Sequence, residues 1–242
     1  MNKVERAIIM AAGKGQRMQP ITLHTPKPLI SVNGTPMIET IIQGLHKNGI
    51  YEIYVVVGYL KDAFSYLPEK YHGITLIENP YFDTCNNISS LYVARDYIEN
   101  AIILDGDQII NDPTILKTEF NHSGYNCVWT DHDTTEWLLS LTNGIVTSCS
   151  RIGGKSGWQL FSVSRWTKED GKKLKRHLEQ EFEINRNRQI YWDDVALFCY
   201  PTEYQLGITE MKAGALIELD SINELISMDP SYSQLIEGGS KA

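Results

Sequence analysis

The stretch that decides the fold is Ala7–Leu29, which reads AIIMAAGKGQRMQPITLHTPKPL. It begins with a short apolar run, as a buried strand does, and the run gives way at once to small residues and glycine. Two lysines, an arginine and three prolines follow before the stretch ends. A buried strand that opens into a glycine-rich, basic loop is typical of the strand end at which an open α/β sheet binds its ligand.

The basic loop contrasts with an acidic protein. The chain has 242 residues, and its 22 Lys and Arg against 30 Asp and Glu give a formal net charge of −8. A negative surface argues against nucleic acid or an anionic membrane as a partner, and the apolar runs are too short to span a bilayer. Four scattered cysteines, without a CxxC or His/Cys cluster, indicate no zinc site. We expect a reduced, cytoplasmic protein with no secretory leader.

Short apolar runs alternate with amphipathic segments in the first half of the chain. Apolar runs predict strands at Arg6–Met10, Ile53–Val57, Thr75–Ile77 and Ala101–Leu104. Helical spacing of apolar residues predicts helices at Pro36–Asn48, Lys61–Leu67 and Ser89–Ile98. Strands that alternate with helices through short links predict a parallel sheet covered on both faces.

The second half is richer in predicted strands. These lie at Asn126–Thr130, Trp137–Leu141, Ile145–Cys149, Gln159–Val163, Gly207–Met211 and Leu216–Leu219. Helices are predicted at Thr167–Glu183, at Asp193–Phe198 and from Ser221 onward. Since no linker or repeat interrupts the pattern, we expect one domain over residues 1–242, with a frayed EGGSKA tail.

The loop after the first strand has the composition of a phosphate-binding loop. Gly13 and Gly15 allow the backbone to approach a ligand closely, and Lys14, Arg17 and Lys27 add positive charge. A GxG pair alone also describes an ordinary flexible turn. The third glycine of a dinucleotide-binding fingerprint is missing, and no GK[ST] closes the loop as in a P-loop.

Paired carboxylates occur at two places. Asp105 and Asp107 follow the fourth predicted strand, and Asp193 and Asp194 occur in the segment YWDD. Carboxylates from two places suit Mg²⁺, which prefers hard oxygen ligands and bridges the phosphates of a nucleotide. The late pair could instead cap a helix.

Aromatic residues accompany the acidic ones in the second half. Trp137, Tyr191 and Trp192 lie near acidic residues in sequence, and LIELDS adds Glu218 and Asp220. Aromatic faces beside a carboxylate are what a quaternary ammonium group requires. Buried tryptophan and tyrosine are more often core residues, so this pattern alone leaves both interpretations open.

The whole stretch matches AAGxGxR(M/L)xPxTxxxPKPL, and it resembles the signature of nucleotidyltransferases that join a nucleoside triphosphate to a phosphorylated small molecule. It departs from that signature at Gln16 and Ile21, without loss of a charge. The resemblance implies a three-layer α/β/α sandwich with a mostly parallel, Rossmann-like sheet. It also implies that Arg17, Lys27 and Asp107 are catalytic. The nucleotide site that it implies comprises Ala11, Ala12, Gly13, Lys14, Gly15, Arg17, Lys27, Asn87 and Ser89.

Four further segments, NNxSSL, EW, YWD and ELDS, make the chain similar to bacterial CTP:phosphocholine cytidylyltransferases. This resemblance implies CTP and phosphocholine as substrates and Mg²⁺ as cofactor, held by Asp107 and Asp193. It implies an acceptor pocket of Trp137, Tyr191 and Glu218. About residues 1–120 would then bind the nucleotide, and about residues 121–230 the acceptor.

Several alternatives remain open from the sequence. The acceptor could be 2-aminoethylphosphonate, phosphoethanolamine or a hexose 1-phosphate, because Glu218 and Asp220 would also suit a primary amine. A non-catalytic regulatory domain would share the fold, but it would be expected to lack the loop cations or an aspartate. The choice between Asp193 and Asp194 as metal ligand, the preference for cytosine and the oligomeric state are not determined.

Overall fold

A nine-stranded sheet runs through the centre of the computed structural model, which describes residues 1–234. The EGGSKA tail and the end of the expected domain lie outside the described residues. In chain order the strands are β1 (Arg6–Ala11), β2 (Glu52–Val57), β3 (Ile74–Glu78), β4 (Ala101–Asp105), β5 (Gly124–Thr130), β6 (Leu138–Thr142), β7 (Ile145–Ser150), β8 (Gly157–Arg165) and β9 (Gly207–Glu210).

The strands of the first half form the parallel core of the sheet. Strand β1 pairs in parallel with β2 on one side and β4 on the other, and β2 pairs in parallel with β3. From Ala7 to Ala11 every residue of β1 is buried, which explains its uninterrupted apolar sequence. The carboxyl ends of β1 and β4 therefore lie side by side, and the glycine-rich loop leaves the sheet beside Asp105.

Strand β8 connects this parallel core to the strands of the second half. Along one side it pairs with β5, and on the other side it pairs first with β6 and then with β4, all antiparallel. Strand β5 also pairs with β9 in parallel, and β6 pairs with the following strand β7 in antiparallel fashion. A single continuous sheet therefore carries residues from both halves of the chain.

Helices cover both faces of the sheet and complete the expected three-layer fold. They are α1 (Met37–Lys47), Leu67–Lys70, α2 (Ile88–Val93), α3 (Lys168–Glu179), Trp192–Asp194 and α4 (Ile222–Met228). Helix α1 packs its apolar face into one buried cluster, and α2 and α3 pack into another on the opposite face. Within residues 1–234 none of the helices combines the length and apolarity that crossing a membrane requires.

Helix ends differ most from the sequence prediction. The predicted helix Lys61–Leu67 is a 3-10 turn, Lys61–Phe64, followed by a short helix in whose first turn Pro68 sits. The helix predicted to reach Ile98 ends at Val93, where the Arg95 side chain donates to the Tyr92 carbonyl at 2.8 Å. A 3-10 turn follows at Arg95–Tyr97.

Two predicted helices continue as π-helical turns, at Gln180–Ile184 after α3 and at Val195–Cys199 after the Trp192–Asp194 helix. Short strand pairs were not predicted, apart from Leu216–Glu218. These pairs are Asn2–Lys3 with Glu119–Phe120, Ser31–Val32 with Thr35–Pro36, and Gln108–Ile110 with Leu216–Glu218. Further 3-10 turns lie at Gln16–Met18, Ile21–Leu23, Lys27–Leu29, Pro113–Leu116 and Pro230–Ser233.

Candidate active site

The glycine-rich loop surrounds a cavity of about 560 Å³ at the carboxyl ends of β1 and β4, which we call the nucleotide cavity. Gly15 has a φ of +60°, and a Cβ added there would lie 2.9 Å from Lys27 Cβ. The Thr22 hydroxyl donates to the Gly15 carbonyl at 2.9 Å and closes the loop. Glycine is therefore required at position 15 because the loop folds tightly against the lysine.

Lys27 is the buried cation of this cavity. Its side chain is 8% exposed, and its Nζ donates to Asp107 Oδ2 at 2.6 Å and to Asp220 Oδ1 at 2.9 Å. Burial alone would lower the pKa of Lys27, but the two carboxylates outweigh it and raise the pKa above its ordinary value. Lys27 is thus held positively charged and fixed at the floor of the cavity.

Asp220 joins the two cations of the site. Besides Lys27 it accepts a hydrogen bond from Arg17 Nη2 at 2.9 Å. Burial would raise the pKa of Asp220, but Lys27 and Arg17 reverse this effect and lower it. Arg17 itself is largely exposed and can turn toward a ligand, whereas Lys27 cannot.

A second, smaller cavity of about 260 Å³, which we call the acceptor cavity, adjoins the first. The two share Arg17, Asn87, Asp105 and Asp107. The acceptor cavity is also lined by Glu136, Trp137, Leu160, Ser162, Tyr191, Asp193, Glu218 and Asp220. Its walls come from segments that are far apart in sequence, and β8 contributes Leu160 and Ser162 to them.

Carboxylates dominate the acceptor cavity, and their titration reflects crowding. Burial, followed by the nearby Asp107 and Asp193, raises the pKa of Asp105 well above its usual range. Burial likewise raises the pKa of Asp193 to about 7. The pKa of Glu218 is also about 7, because removal from water outweighs the hydrogen bond that Gln108 Nε2 donates at 2.8 Å. A cationic ligand would favour the ionised form of these crowded carboxylates, because an opposite charge nearby lowers the pKa of a carboxyl group.

The two adjacent late aspartates have different surroundings. Asp194 is engaged on both oxygens, since Oδ2 accepts from the Tyr191 backbone N–H at 2.9 Å and Oδ1 accepts from Arg151 Nη2 at 2.5 Å. Asp193 lines the acceptor cavity, and its buried Oδ1 has no hydrogen-bond partner in the described part of the chain. The capping role considered from sequence thus falls to Asp194, and Asp193 is the late aspartate that lines the acceptor cavity.

Two aromatic rings form one wall of the acceptor cavity. Trp137 and Tyr191 meet with ring centroids 5.8 Å apart and an interplanar angle of 89°. Phe198 packs against Trp137 from behind, at 5.6 Å and 87°. Trp192, the third aromatic residue singled out in the sequence, is fully buried and belongs to the core.

The structure brings almost all of the predicted site residues to these two cavities. The nucleotide cavity is lined by Ala11, Ala12, Gly13, Lys14, Gly15, Arg17, Lys27, Asn87 and Asp107. The acceptor cavity is lined by Trp137, Tyr191, Asp193 and Glu218, together with the shared Asp107. The roles assigned to these residues remain predictions.

Ser89 is the predicted residue that lines neither cavity. Its hydroxyl donates to the Asn86 carbonyl at 2.8 Å and accepts from Asn79 at 3.0 Å, so it serves the packing of α2. Ser90, one position further along the helix, lines the nucleotide cavity instead. One step along a helix turns a side chain by about 100°, which a motif match alone does not resolve.

Sequence reasoning missed several residues of the site. Asp220 was considered with Glu218 as a partner for a primary amine, not as the carboxylate that binds Lys27 and Arg17, and Glu136 was noted only as part of the EW motif. Phe82 and Asp83 line the nucleotide cavity and carried no signal, although Asp83 forms an ion pair with Lys14 of the glycine-rich loop. Arg151 lies behind the acceptor cavity and was not predicted either.

The donor set suits a metal that substrates help to hold. Among residues 1–234 no three His, Cys, Asp or Glu side chains come together as a ready-made metal cage. Mg²⁺ is commonly bound by one or two carboxylates plus substrate phosphates. Asp107 and Asp193 both line the acceptor cavity, and Asp107 lines the nucleotide cavity as well, so this pair of carboxylates fits that arrangement.

Similarity to known proteins covers nearly the whole chain. The chain is 40% identical to the 2-aminoethylphosphonate cytidylyltransferase of Lancefieldella rimae, over 95% of this chain and 94% of that protein. It is 31% identical to the choline-phosphate cytidylyltransferase of Streptococcus pneumoniae, over 90% of this chain and 94% of that protein. The corresponding enzyme of Haemophilus influenzae is 32% identical over 90% of this chain and 93% of its own.

Solved structures show the same fold. The CTP:phosphocholine cytidylyltransferase of Streptococcus pneumoniae superimposes with a TM-score of 0.85 at 31% identity, over 97% of this chain and 98% of that one. The inositol-1-phosphate CTP transferase of T. maritima, 17% identical, gives a TM-score of 0.74 over 98% and 96% of the two chains and shows the fold alone.

The family model for the MobA-like NTP transferase domain matches residues 7–171, which begin at β1 and include the glycine-rich loop, both early aspartates and all of β8. The relatives that match over most of their length transfer a cytidylyl group. The chain therefore belongs to the MobA-like NTP transferase family, and it is a nucleotidyltransferase close to the bacterial cytidylyltransferases.

Proposed function

We propose that this protein transfers a cytidylyl group from CTP to 2-aminoethylphosphonate and releases pyrophosphate. The observation that carries the acceptor assignment is that Glu136 and Glu218 line the acceptor cavity beside the rings of Trp137 and Tyr191. Four further carboxylates line it but have other partners or roles: Asp107 and Asp193 are proposed for Mg²⁺, Asp220 binds Lys27 and Arg17, and Asp105 is buried with a raised pKa. This favours a primary amine over the phosphocholine first suggested by the motifs.

The chemistry of the two head groups explains the preference. A primary ammonium donates three hydrogen bonds and matches carboxylate oxygens, whereas a quaternary ammonium donates none and depends on aromatic faces. Phe198 packs behind Trp137 but does not line the cavity, so the wall offers two rings and does not enclose a cation. The relative with 40% identity acts on 2-aminoethylphosphonate, which supports the same choice.

On the nucleotide side, we assign the triphosphate to the glycine-rich loop. Backbone N–H groups from Ala11 to Gly15 would bind phosphate oxygens, and Arg17 would neutralise their charge. Lys27 lies between the two cavities and would contact the α-phosphate, where negative charge increases as the new bond forms. Asn87 and Ser90 line the nucleotide cavity and are placed to contact the nucleoside.

The reaction is an in-line displacement at the α-phosphorus. A phosphonate oxygen of the acceptor forms a new P–O bond, and the bond to the β-phosphate breaks with pyrophosphate as the leaving group. The attacking oxygen is already ionised near neutral pH, so the protein need not supply a strong base. Its task is to hold both substrates in line and to stabilise charge at the reacting phosphorus.

Mg²⁺ is the cofactor that we propose for this site, with Asp107 and Asp193 as its protein ligands. The fit rests on the all-oxygen donor set and on two carboxylates in the acceptor cavity, one of which also lines the nucleotide cavity. When bound, the ion would neutralise phosphate charge and orient the phosphates. Asp105, buried and with a strongly raised pKa, would shape the floor without ligating the ion.

Phosphocholine is the second candidate acceptor. The perpendicular rings of Trp137 and Tyr191 favour it, because a methylated ammonium can rest against both faces. The structure of a phosphocholine enzyme also superimposes closely on this chain. A matched series of acceptors separates the two proposals.

The test measures pyrophosphate release with Mg²⁺, CTP and each acceptor at equal concentration. The series comprises 2-aminoethylphosphonate, phosphoethanolamine, its N-methyl and N,N-dimethyl derivatives and phosphocholine, with glucose 1-phosphate as a sugar control. We expect kcat/KM to be highest for 2-aminoethylphosphonate and to fall with each added methyl group. Replacement of CTP by the other three nucleotides should abolish turnover.

A kcat/KM that rises with methylation would refute the primary-amine proposal and support phosphocholine. Trp137→Ala provides an independent check. It should reduce turnover of phosphocholine more than turnover of 2-aminoethylphosphonate, because loss of a cation–π contact of about 1–2 kcal/mol would cost phosphocholine roughly 5- to 30-fold.

A further inference from the structure

We propose that Arg151 is a positioning residue that fixes the two aromatic walls of the acceptor cavity relative to each other. It follows β7 in the chain and does not itself line the cavity. Its guanidinium lies between the segments that carry Trp137 and Tyr191. This inference rests on the proposed function, in which those two residues contact the acceptor.

The contact of Arg151 with the Trp137 wall is made through aromatic faces. The Arg151 Cζ lies 3.8 Å from the centroid of Phe198 and 5.7 Å from that of Trp137. Phe198 in turn packs edge-to-face on Trp137. A planar guanidinium stacks on such rings and restricts their rotation, which lysine does less well.

The contact with the Tyr191 wall is made through an ion pair. Arg151 Nη2 donates to Asp194 Oδ1, and Oδ2 of the same carboxylate accepts from the Tyr191 backbone N–H. The Asp194 side chain is 5% exposed, so its charge is buried beside its cationic partner. A buried carboxylate that loses its cationic partner is costly, so the Asp194 side chain would have to move toward water. Tyr191, from whose backbone N–H that carboxylate accepts, would then lose its fixed position.

The loop that carries Arg151 is itself held in place. Thr134 and Gly154 exchange backbone hydrogen bonds, each at 3.0 Å, and so join this loop to the segment before Trp137. Gly153 has a φ of +71°, and a Cβ there would lie 1.8 Å from the Thr134 carbonyl oxygen. The backbone thus holds Arg151 in one position, from which its side chain reaches Asp194.

This arrangement predicts a selective effect on the acceptor. Arg151→Met keeps an unbranched side chain over Phe198 but removes the charge, and Arg151→Lys keeps the charge but removes the planar fork. For the acceptor that the wild type turns over fastest, we expect KM to rise roughly tenfold in Arg151→Met, the cost of a small misplacement. We expect an intermediate KM in Arg151→Lys and an unchanged KM for CTP in both.

Arg176→Ala is the matched control, because Arg176 lies exposed on α3 and lines neither cavity. It should leave both KM values unchanged. Thermal melting of each variant reports general destabilisation, and near-ultraviolet circular dichroism reports the Trp137 and Tyr191 environment, which Arg151→Met should alter.

Two results would overturn the inference. One is an acceptor KM that stays at the wild-type value in Arg151→Met. The other is a parallel rise in the KM for CTP and for the acceptor, which would indicate a purely structural role. A wild type that prefers phosphocholine would refute the proposed acceptor, and the same KM comparison, made with phosphocholine, would still decide the role of Arg151.

Discussion

The nucleotide cavity and the acceptor cavity share a floor but are built in different ways. The first comes mainly from one continuous stretch, Ala11–Lys27, whose backbone and cations surround the ligand space. The second is assembled from side chains at positions 105–107, 136–137, 160–162, 191–193 and 218–220. A local loop can keep its chemistry while the assembled wall changes, so relatives can share CTP and differ in acceptor.

The largest expected effect tests the residue that both cavities depend on. Lys27→Met should lower kcat by roughly 10²–10³-fold, because it removes the buried cation that we propose to stabilise the charge of the transition state. The measurement is steady-state pyrophosphate release. Lys61→Met is the control, since Lys61 forms an exposed pair with Glu78 and should change the rate by less than about twofold. An active Lys27→Met variant would show that the shared floor is not the reacting centre.

Asp193→Asn tests a proposed metal ligand that lines the acceptor cavity. It should lower activity and raise the stability of the ligand-free protein at high pH. We expect kcat to fall roughly a hundredfold, the scale of one lost electrostatic contact to the transition state. Added Mg²⁺ should stabilise the wild type with CTP against heat more than it stabilises the variant.

The same substitution should stabilise the ligand-free protein at high pH. The pKa of Asp193 is raised to about 7 in the fold, so the folded state holds a proton that the unfolded state releases near its ordinary pKa. Wild-type stability is therefore lost as pH rises from about 4 through about 7. Asp193→Asn has no group that titrates there. At pH 8 its free energy of unfolding should therefore exceed that of the wild type by roughly 2–4 kcal/mol, and near pH 4 the two should be equal. Urea unfolding at both pH values measures it; equal stability at pH 8 would contradict the prediction.

Gly15→Ala sharpens the claim that the nucleotide side is a tightly folded loop. The new methyl group would press on Lys27 and on Thr22 at a positive φ, so we expect a loss of about 1–2 kcal/mol in stability. Displacement of Lys27 should also cost about tenfold in kcat. Gly13→Ala is the matched control for stability, because a Cβ there meets nothing within 4 Å. Equal melting temperatures for the two variants would refute the close packing of the loop on Lys27.

Glu218→Gln gives the smallest expected effect and tests the acceptor side. Since the pKa of Glu218 is raised to about 7, its carboxylate gains charge as pH rises through that value. Between pH 6 and 8, kcat/KM for an amine acceptor should therefore rise roughly fivefold more in the wild type than in Glu218→Gln. The KM for CTP should show no such difference. Parallel pH profiles would place the ammonium elsewhere.

The same contrast explains what the sequence could and could not predict. The strand, the glycine-rich loop and Lys27 form one local pattern, so a single motif and its resemblance to a family signature were enough to predict that they lie together. The motifs around Trp137 and Tyr191 identified the acceptor wall but not its balance of rings and carboxylates, which depends on packing. Asp220 reaches Lys27 across 193 positions, and no local pattern reports such a pair. Arg151 could not be predicted for the same reason. That Ser90 and not Ser89 lines the cavity depends on the rotation between successive residues of a helix.

The hydrogen bonds that Asp220 accepts from Lys27 and Arg17 should make the empty nucleotide cavity a poor binding site for simple anions. Both cations already have an internal counter-ion, so a simple anion gains little by entering. A triphosphate can displace the carboxylate because its many oxygens reach the loop backbone as well. We expect millimolar phosphate or sulfate to inhibit poorly and Asp220→Asn to make both better inhibitors. We therefore expect the Asp220 carboxylate to compete with common anions for Lys27 and Arg17, and to be displaced only by a ligand with more contacts, such as a triphosphate.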